Sequence, residues 1–176
     1  MTLMQIFTVL LAKSLDSQTA LGVGYTGGNG SHIENGATVD KGLFYGETTG
    51  KKQMKFLGLE DFYGNRYEWV DGLVRKDDKF WTNTDNTNYN DDAIGYVEVG
   101  DAPNFFDFFK TVIGTTESGF IPAERDGSSS TYYCDYYWSY GGHTVVAFGG
   151  ERSASPTGSF AGAFQLDAYN SPADWD

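Results

Sequence analysis

The stretch GLEDFYGNRYEWVDGL, residues 58–73, constrains the chain most. Gly64-Asn65 marks a tight turn, because glycine reaches positive φ without penalty and asparagine tolerates it. Beyond the turn the residues alternate, with Tyr67, Trp69, Asp71 and Leu73 on one face and Glu68, Val70 and Gly72 on the other, so a strand is predicted. Carboxylates Glu60, Asp61, Glu68 and Asp71 sit among large aromatic rings here. Such acids are tolerated near a core only where backbone N–H groups, hydroxyls or a cation meet them.

The tail shows the same period. Alternation over 128–140 puts Tyr132, Cys134, Tyr136, Trp138 and Tyr140 on one face, and Tyr133, Asp135, Tyr137 and Ser139 on the other. The face with Cys134 and Trp138 is expected inside. His143–Phe148 reads as a strand, Gly149-Gly150 as its turn, and 151–159 as a polar loop. In 160–170, Phe160, Gly162, Phe164 and Leu166 are expected in the core, which turns Gln165, Asp167 and Tyr169 outward.

Elsewhere the pattern is mixed. Leu3, Phe7, Leu10, Leu11 and Leu15 recur at helical spacing, predicting a helix over about 2–15. The apolar run 3–11 is too short to span a bilayer, and no basic residue precedes it, so a signal peptide is not supported. Residues 22–50 read as a Gly- and Thr-rich loop; its YTGGNGSH lacks the Lys-Ser/Thr end of a phosphate loop. Residues 76–93 read as a solvated hairpin loop without EF-hand spacing, and Ile94–Val99 as a strand. Over Ala102–Ile113, Pro103 and the spacing of Phe105, Phe109, Val112 and Ile113 predict a short helix, with a loop over the core as the alternative.

A chain of 176 residues fits one domain, and the net charge of −12 makes nucleic acid and membrane poor partners. Cys134 is the only cysteine, so it has no disulfide partner within the chain and reads as a small buried hydrophobe. The two histidines lack companions at ligand spacing, which sets zinc aside. The acids Glu60, Glu68 and Asp71 read as structural before they read as a glycosidase pair. Exposed Tyr, Ser, Gly and Asn in the tail make a composition suited to recognition, since tyrosine offers large contact area at low rotamer entropy. Strands and turns produce the same composition, so this alone leaves the two readings level.

GNRYEW resembles the GNVWEW signature of the formylglycine-generating-enzyme family, a variant of the C-type lectin fold, with Arg66 and Tyr67 where that family has Val and Trp. Together with the tail TYYCDYYWS…GG…AGAF, the chain is still more similar to the variable proteins of diversity-generating retroelements. The resemblance implies an α+β, C-type-lectin-like fold of short antiparallel sheets, one or two helices and long loops. It implies a single domain over 1–176, truncated at one or both ends, with 132–176 as the variable ligand-binding region. It matches Asp16-Ser17-Gln18 to the segment after the family's helix.

The resemblance also implies a non-enzymatic, phage-borne binding protein on a virion or cell surface, taking a host-surface or environmental protein or glycan. The enzyme family works with two cysteines and copper, and this chain has one cysteine. In the variable proteins, Asn codons of the AAY type are miscopied, and they cannot yield Trp, Lys, Gln, Glu or Met. On that logic Tyr140, His143, Ser153, Ser155, Thr157, Asp167, Tyr169 and Asn170 are reachable variable positions. Ser139, Glu151, Arg152 and Gln165 complete the contact candidates, Arg152 standing where relatives often have Trp. No cofactor is required; the family's GNxWE segment helps bind calcium, which makes Asn65 and Glu68 candidate ligands, against the alternative that they hydrogen-bond the turn backbone. The rival readings are an invariant tail-fibre module and a formylglycine-generating-type enzyme.

Overall fold

The computed structural model describes residues 12–26, 32–117, 119–150 and 161–171. Of these, 43% are strand and 5% helix, so the protein is β-rich and the expected α+β, lectin-like class is corrected. Helix α1 (Ser17–Leu21) is a single short turn. Asp16 caps it, its side chain accepting the Thr19 N–H at 3.0 Å. The helix expected over 2–15 falls mostly outside the described residues; Ala12 and Lys13 are helical.

The strands are β1 (Phe44–Tyr45), β2 (Lys55–Phe56), β3 (Leu59–Glu60), β4 (Glu68–Lys76), β5 (Lys79–Thr82), β6 (Val97–Asp101), β7 (Phe105–Thr115), β8 (Gly119–Arg125), β9 (Tyr136–Ser139), β10 (His143–Gly149) and β11 (Gly162–Ala168). The first three form a small antiparallel sheet, and the other eight a sheet of order β6-β5-β4-β10-β11-β9-β7-β8. All neighbours in it are antiparallel except β11 and β9, which run parallel with Leu166 opposite Tyr137.

Tight turns set the registers. Asp77 and Asp78, at φ 52° and 58°, form the two-residue loop that closes Lys76 against Lys79. Positive φ at both central positions matches the twist of the strands it joins. The segment read as a loop over 76–93 therefore contains β5, and only its later part is irregular.

The helix expected over 102–113 is instead β7. Phe105 and Phe109 share a buried face in either structure, because four residues is close to one helical turn and also two strand repeats. The β-branched run Thr111-Val112-Ile113 favours the extended state, and pairing with β8 and β9 decides it.

The core is one cluster, including Phe56, Tyr63, Phe80, Phe109, Tyr137, Val146 and Phe164. The tail strand enters it in the opposite phase from that expected: Tyr137 and Ser139 are fully buried, while Tyr136 and Trp138 are half-buried. The strand begins at Tyr136, and Tyr132 before it sits at φ 59°, which breaks the alternation carried forward from 128. Cys134 is buried as expected.

Asp135 explains the phase. Its buried carboxylate accepts from Ser17 Oγ at 3.0 Å, Gln18 Nε2 at 2.7 Å and the Phe164 N–H at 2.8 Å. Gly162 makes room for it: a Cβ there would lie 2.0 Å from the carboxylate. Burial pushes this carboxyl up to about 7 against the pull of its donors.

Candidate functional site

Three strands bring an aromatic group to the surface. Tyr140 follows β9 directly and Tyr169 follows β11 directly, so the parallel pairing of these strands sets them side by side. The Tyr140 N–H donates to the Ala168 carbonyl at 3.3 Å. Phe106 of β7 stands opposite Trp138 on the same face.

Their ring centroids are 6.0 Å apart for Phe106–Tyr140, 5.9 Å for Phe106–Tyr169 and 6.2 Å for Tyr140–Tyr169. All three are about half exposed, at 47%, 56% and 53%. The strip continues along β7 and β9, where Tyr136 packs edge-on against Phe108 and Trp138, both at 5.0 Å. Mutual contact holds the three rings at the strand and the two strand ends, so little rotamer freedom remains to be lost on binding.

The other expected contacts fall into four groups. Asp167 is buried near the end of β11, its Oδ1 accepting the Tyr169 N–H at 3.0 Å, so it orients that residue. His143 and Asn170 are half-buried at the neighbouring end of β10, where His143 Nε2 meets the Asp91 carbonyl and the Asn170 carbonyl accepts from Val145 N–H at 3.2 Å. Ser139 and Gln165 are fully buried, which corrects their expected exposure. β11 lies between two neighbours with both faces covered, so alternation does not turn Gln165 or Asp167 out to solvent. Glu151, Arg152, Ser153, Ser155 and Thr157 lie outside the described residues, as does Phe160. Phe106 was missed because its segment reads as a helix; the pairs Phe105-Phe106 and Phe108-Phe109 were the signal available.

The central motif is structural in its hydrogen bonding. Asn65, buried at φ 64°, accepts the Ile33 N–H at 3.1 Å and donates to the Ile33 carbonyl and to Asp61 Oδ2, both at 2.9 Å. Its amide is thus committed to the chain. Glu68 is exposed on β4, its carboxyl raised by desolvation and the Asp61 charge and lowered by Arg66. Glu60 is bound by Gly36 and Thr38. Among the described residues no group of three or more His, Cys, Asp or Glu could hold a metal ion.

Cys134 is poorly placed for nucleophilic chemistry. Burial, with the charges of Asp16 and Asp135, pushes its thiol up to about 11, and the thiolate is the reactive form. We expect a disulfide reagent at pH 8 to label Cys134 at least about 100-fold more slowly in the native protein than in urea. Equal rates would show that the segment opens freely.

Comparison with protein-family models, curated proteins and solved structures found no match. Among the described residues no helix is long and apolar enough to cross a membrane. Fold and site together define a β-rich protein that displays a rigid, solvent-facing aromatic surface.

Proposed function

We propose that the protein is a non-enzymatic recognition protein that takes a host-surface or environmental protein or glycan on the surface built from Phe106, Tyr140 and Tyr169. The observation that carries this reading is the clustering of three half-exposed rings, one on β7 and two directly after β9 and β11. Isolated exposed rings are ordinary, whereas a contiguous exposed apolar group is characteristic of an interaction site. The similarity of the tail to retroelement variable proteins adds that Tyr140 and Tyr169 are diversified positions on a β-rich scaffold, in a phage-borne protein exposed on a virion or cell surface.

Deep sequencing of the locus from its source community tests this. The expected result is adenine-linked substitution at the codons of Tyr140, His143, Tyr169 and Asn170, next to a near-copy template and a reverse transcriptase. Phe106 and the buried Ser139 and Gln165 should stay constant. An invariant tail with no template would overturn the variable-binder reading and leave a fixed module. The surface itself is tested by panning the protein against a glycan array and host-cell surfaces. Tyr140→Ala with Tyr169→Ala should reduce any specific binding by at least about tenfold, as hot-spot tyrosines do.

A further inference from the structure

A second site lies away from the ring group. A cleft of about 970 Å³ opens between β4, the β7–β8 hairpin and the paired β10 and β11. Its walls include Val70, Leu73, Phe120, Ile121, Phe148 and Leu166. That volume is at the upper end of the range, about 300–1,000 Å³, of small-molecule sites.

Charge narrows the ligand. The charged side chains among the described lining residues are two exposed carboxylates, Asp71 and Glu117. No lysine, arginine or histidine is among those lining residues, and the chain carries a net charge of −12. An anionic amphiphile such as a fatty acid would therefore meet repulsion, and a cationic one attraction.

The rim supplies a place for the cation. Trp69 and Asp71 are two residues apart on β4, and Tyr89 borders the cleft beside them. Gly72 lies under Tyr89: a Cβ on it would sit 2.7 Å from the tyrosine ring, so the bare glycine permits the ring's approach. Trp69 and Tyr89 are 45% and 39% exposed. Two aromatic rings beside a carboxylate suit an alkylammonium group, which the ring faces and the carboxylate attract together.

We propose that this cleft binds a small molecule with an apolar body and a quaternary or alkylated ammonium head, the body between β4 and β8 and the head at Trp69, Asp71 and Tyr89. This is a different surface from the Phe106–Tyr140–Tyr169 group, and the two readings stand or fall separately. The test uses three probes of matched chain length below their micellar concentrations: decyltrimethylammonium, decanol and decanoate. Binding is followed by calorimetry and tryptophan fluorescence.

Decyltrimethylammonium should bind saturably and at least about tenfold more tightly than decanoate. Asp71→Asn and Tyr89→Ala change exposed residues, so they should leave the melting temperature nearly unchanged. Each should weaken the ammonium probe by about fivefold while leaving decanol within about twofold. Val112→Trp, which fills the cleft, should weaken the ammonium and decanol probes alike. The proposal is overturned if decanoate binds as tightly as the ammonium, if no probe saturates, or if neither rim variant changes the ammonium affinity.

Discussion

Replacing Asp135 with alanine is expected to lower the free energy of unfolding by at least about 3 kcal/mol, because it strands two buried donors, Ser17 Oγ and the Phe164 N–H, and takes from the half-buried Gln18 amide one of its two acceptors. Ser17 Oγ, Gln18 Nε2 and the Phe164 N–H all end on this carboxylate. Water does not readily reach the first or the last of them, since Asp135 and Ser17 are fully buried and Phe164 nearly so, while the half-buried Gln18 amide keeps the Ala161 carbonyl at 2.6 Å. Asp135→Asn keeps one acceptor oxygen but adds two donors among donors, so a loss of about half that size is expected. Urea melts of the three proteins measure both, and a loss under about 1 kcal/mol for the alanine variant would sink this account.

The same residue makes stability depend on pH. Its folded value of about 7 lies above the ordinary aspartate value. The native state thus holds a proton that the unfolded chain has released, and stability falls as pH rises between the two values. Its contribution is full below about pH 4, declines up to about pH 7 and is level above that, a total on the order of 4 kcal/mol. Melting temperatures from pH 5 to 8 should show the decline in the parent protein and a flatter line in Asp135→Asn. Parallel lines would show that another group is responsible.

Arg75 is the second position of large effect. Its side chain is fully buried in β4 and fans out to three acceptors: the Ala102 carbonyl at 3.2 Å, Asp78 Oδ1 at 2.5 Å and Asn104 Oδ1 at 2.7 Å. It therefore ties the β4–β5 turn to the link between β6 and β7. Arg75→Ala should destabilise by about 3–5 kcal/mol, through the lost stem packing and the Ala102 carbonyl left without its donor. Arg75→Met should lose much less, about 1–2 kcal/mol, because desolvating a guanidinium offsets most of what its bonds supply. Asp78 is largely exposed, so water takes over its solvation in either variant. Equal losses in the two variants would show that the hydrogen bonds, not the packed stem, carry the stability.

Local alternation made part of the fold legible. The Gly64-Asn65 turn has φ 75° and 64°, and the strand expected after it is β4. His143–Phe148 is β10 almost residue for residue, and Gly149 and Gly150 both take positive φ. Period decides such strands, but not which face is inside. For β9 that is settled by Ser17 and Gln18 meeting Asp135 some 117 residues later, a pairing no local window contains. The Asp16-Ser17-Gln18 segment carried a family likeness in the sequence; in the fold it clamps a buried acid.

The site was half legible for the same reason. Tyr140 and Tyr169 lie just beyond their strands, where a residue stays exposed whichever face is buried. Ser139 and Gln165 lie within strands, where one wrong phase or a second covered face reverses the outcome. Phe106 was hidden by a Phe spacing that fits helix and strand equally. The helix expected over 102–113 from that spacing is strand β7, and the helix expected over 2–15 lies mostly outside the described residues.

The place of β11 sets the order in which the molecule can assemble. Strands β6, β5, β4 and β10 form one half of the large sheet, and β9, β7 and β8 the other; β11 lies between them. A nascent chain can pair each half within itself, but the halves have no common edge until residues 162–168 have left the ribosome. Until then β10 and β9 each present an unpaired edge of the kind that draws strands from other chains. Arrival of this one strand closes both edges in a single step, so the large sheet completes only when β11 emerges, and a ribosome stalled before residue 162 would hold two open half-sheets.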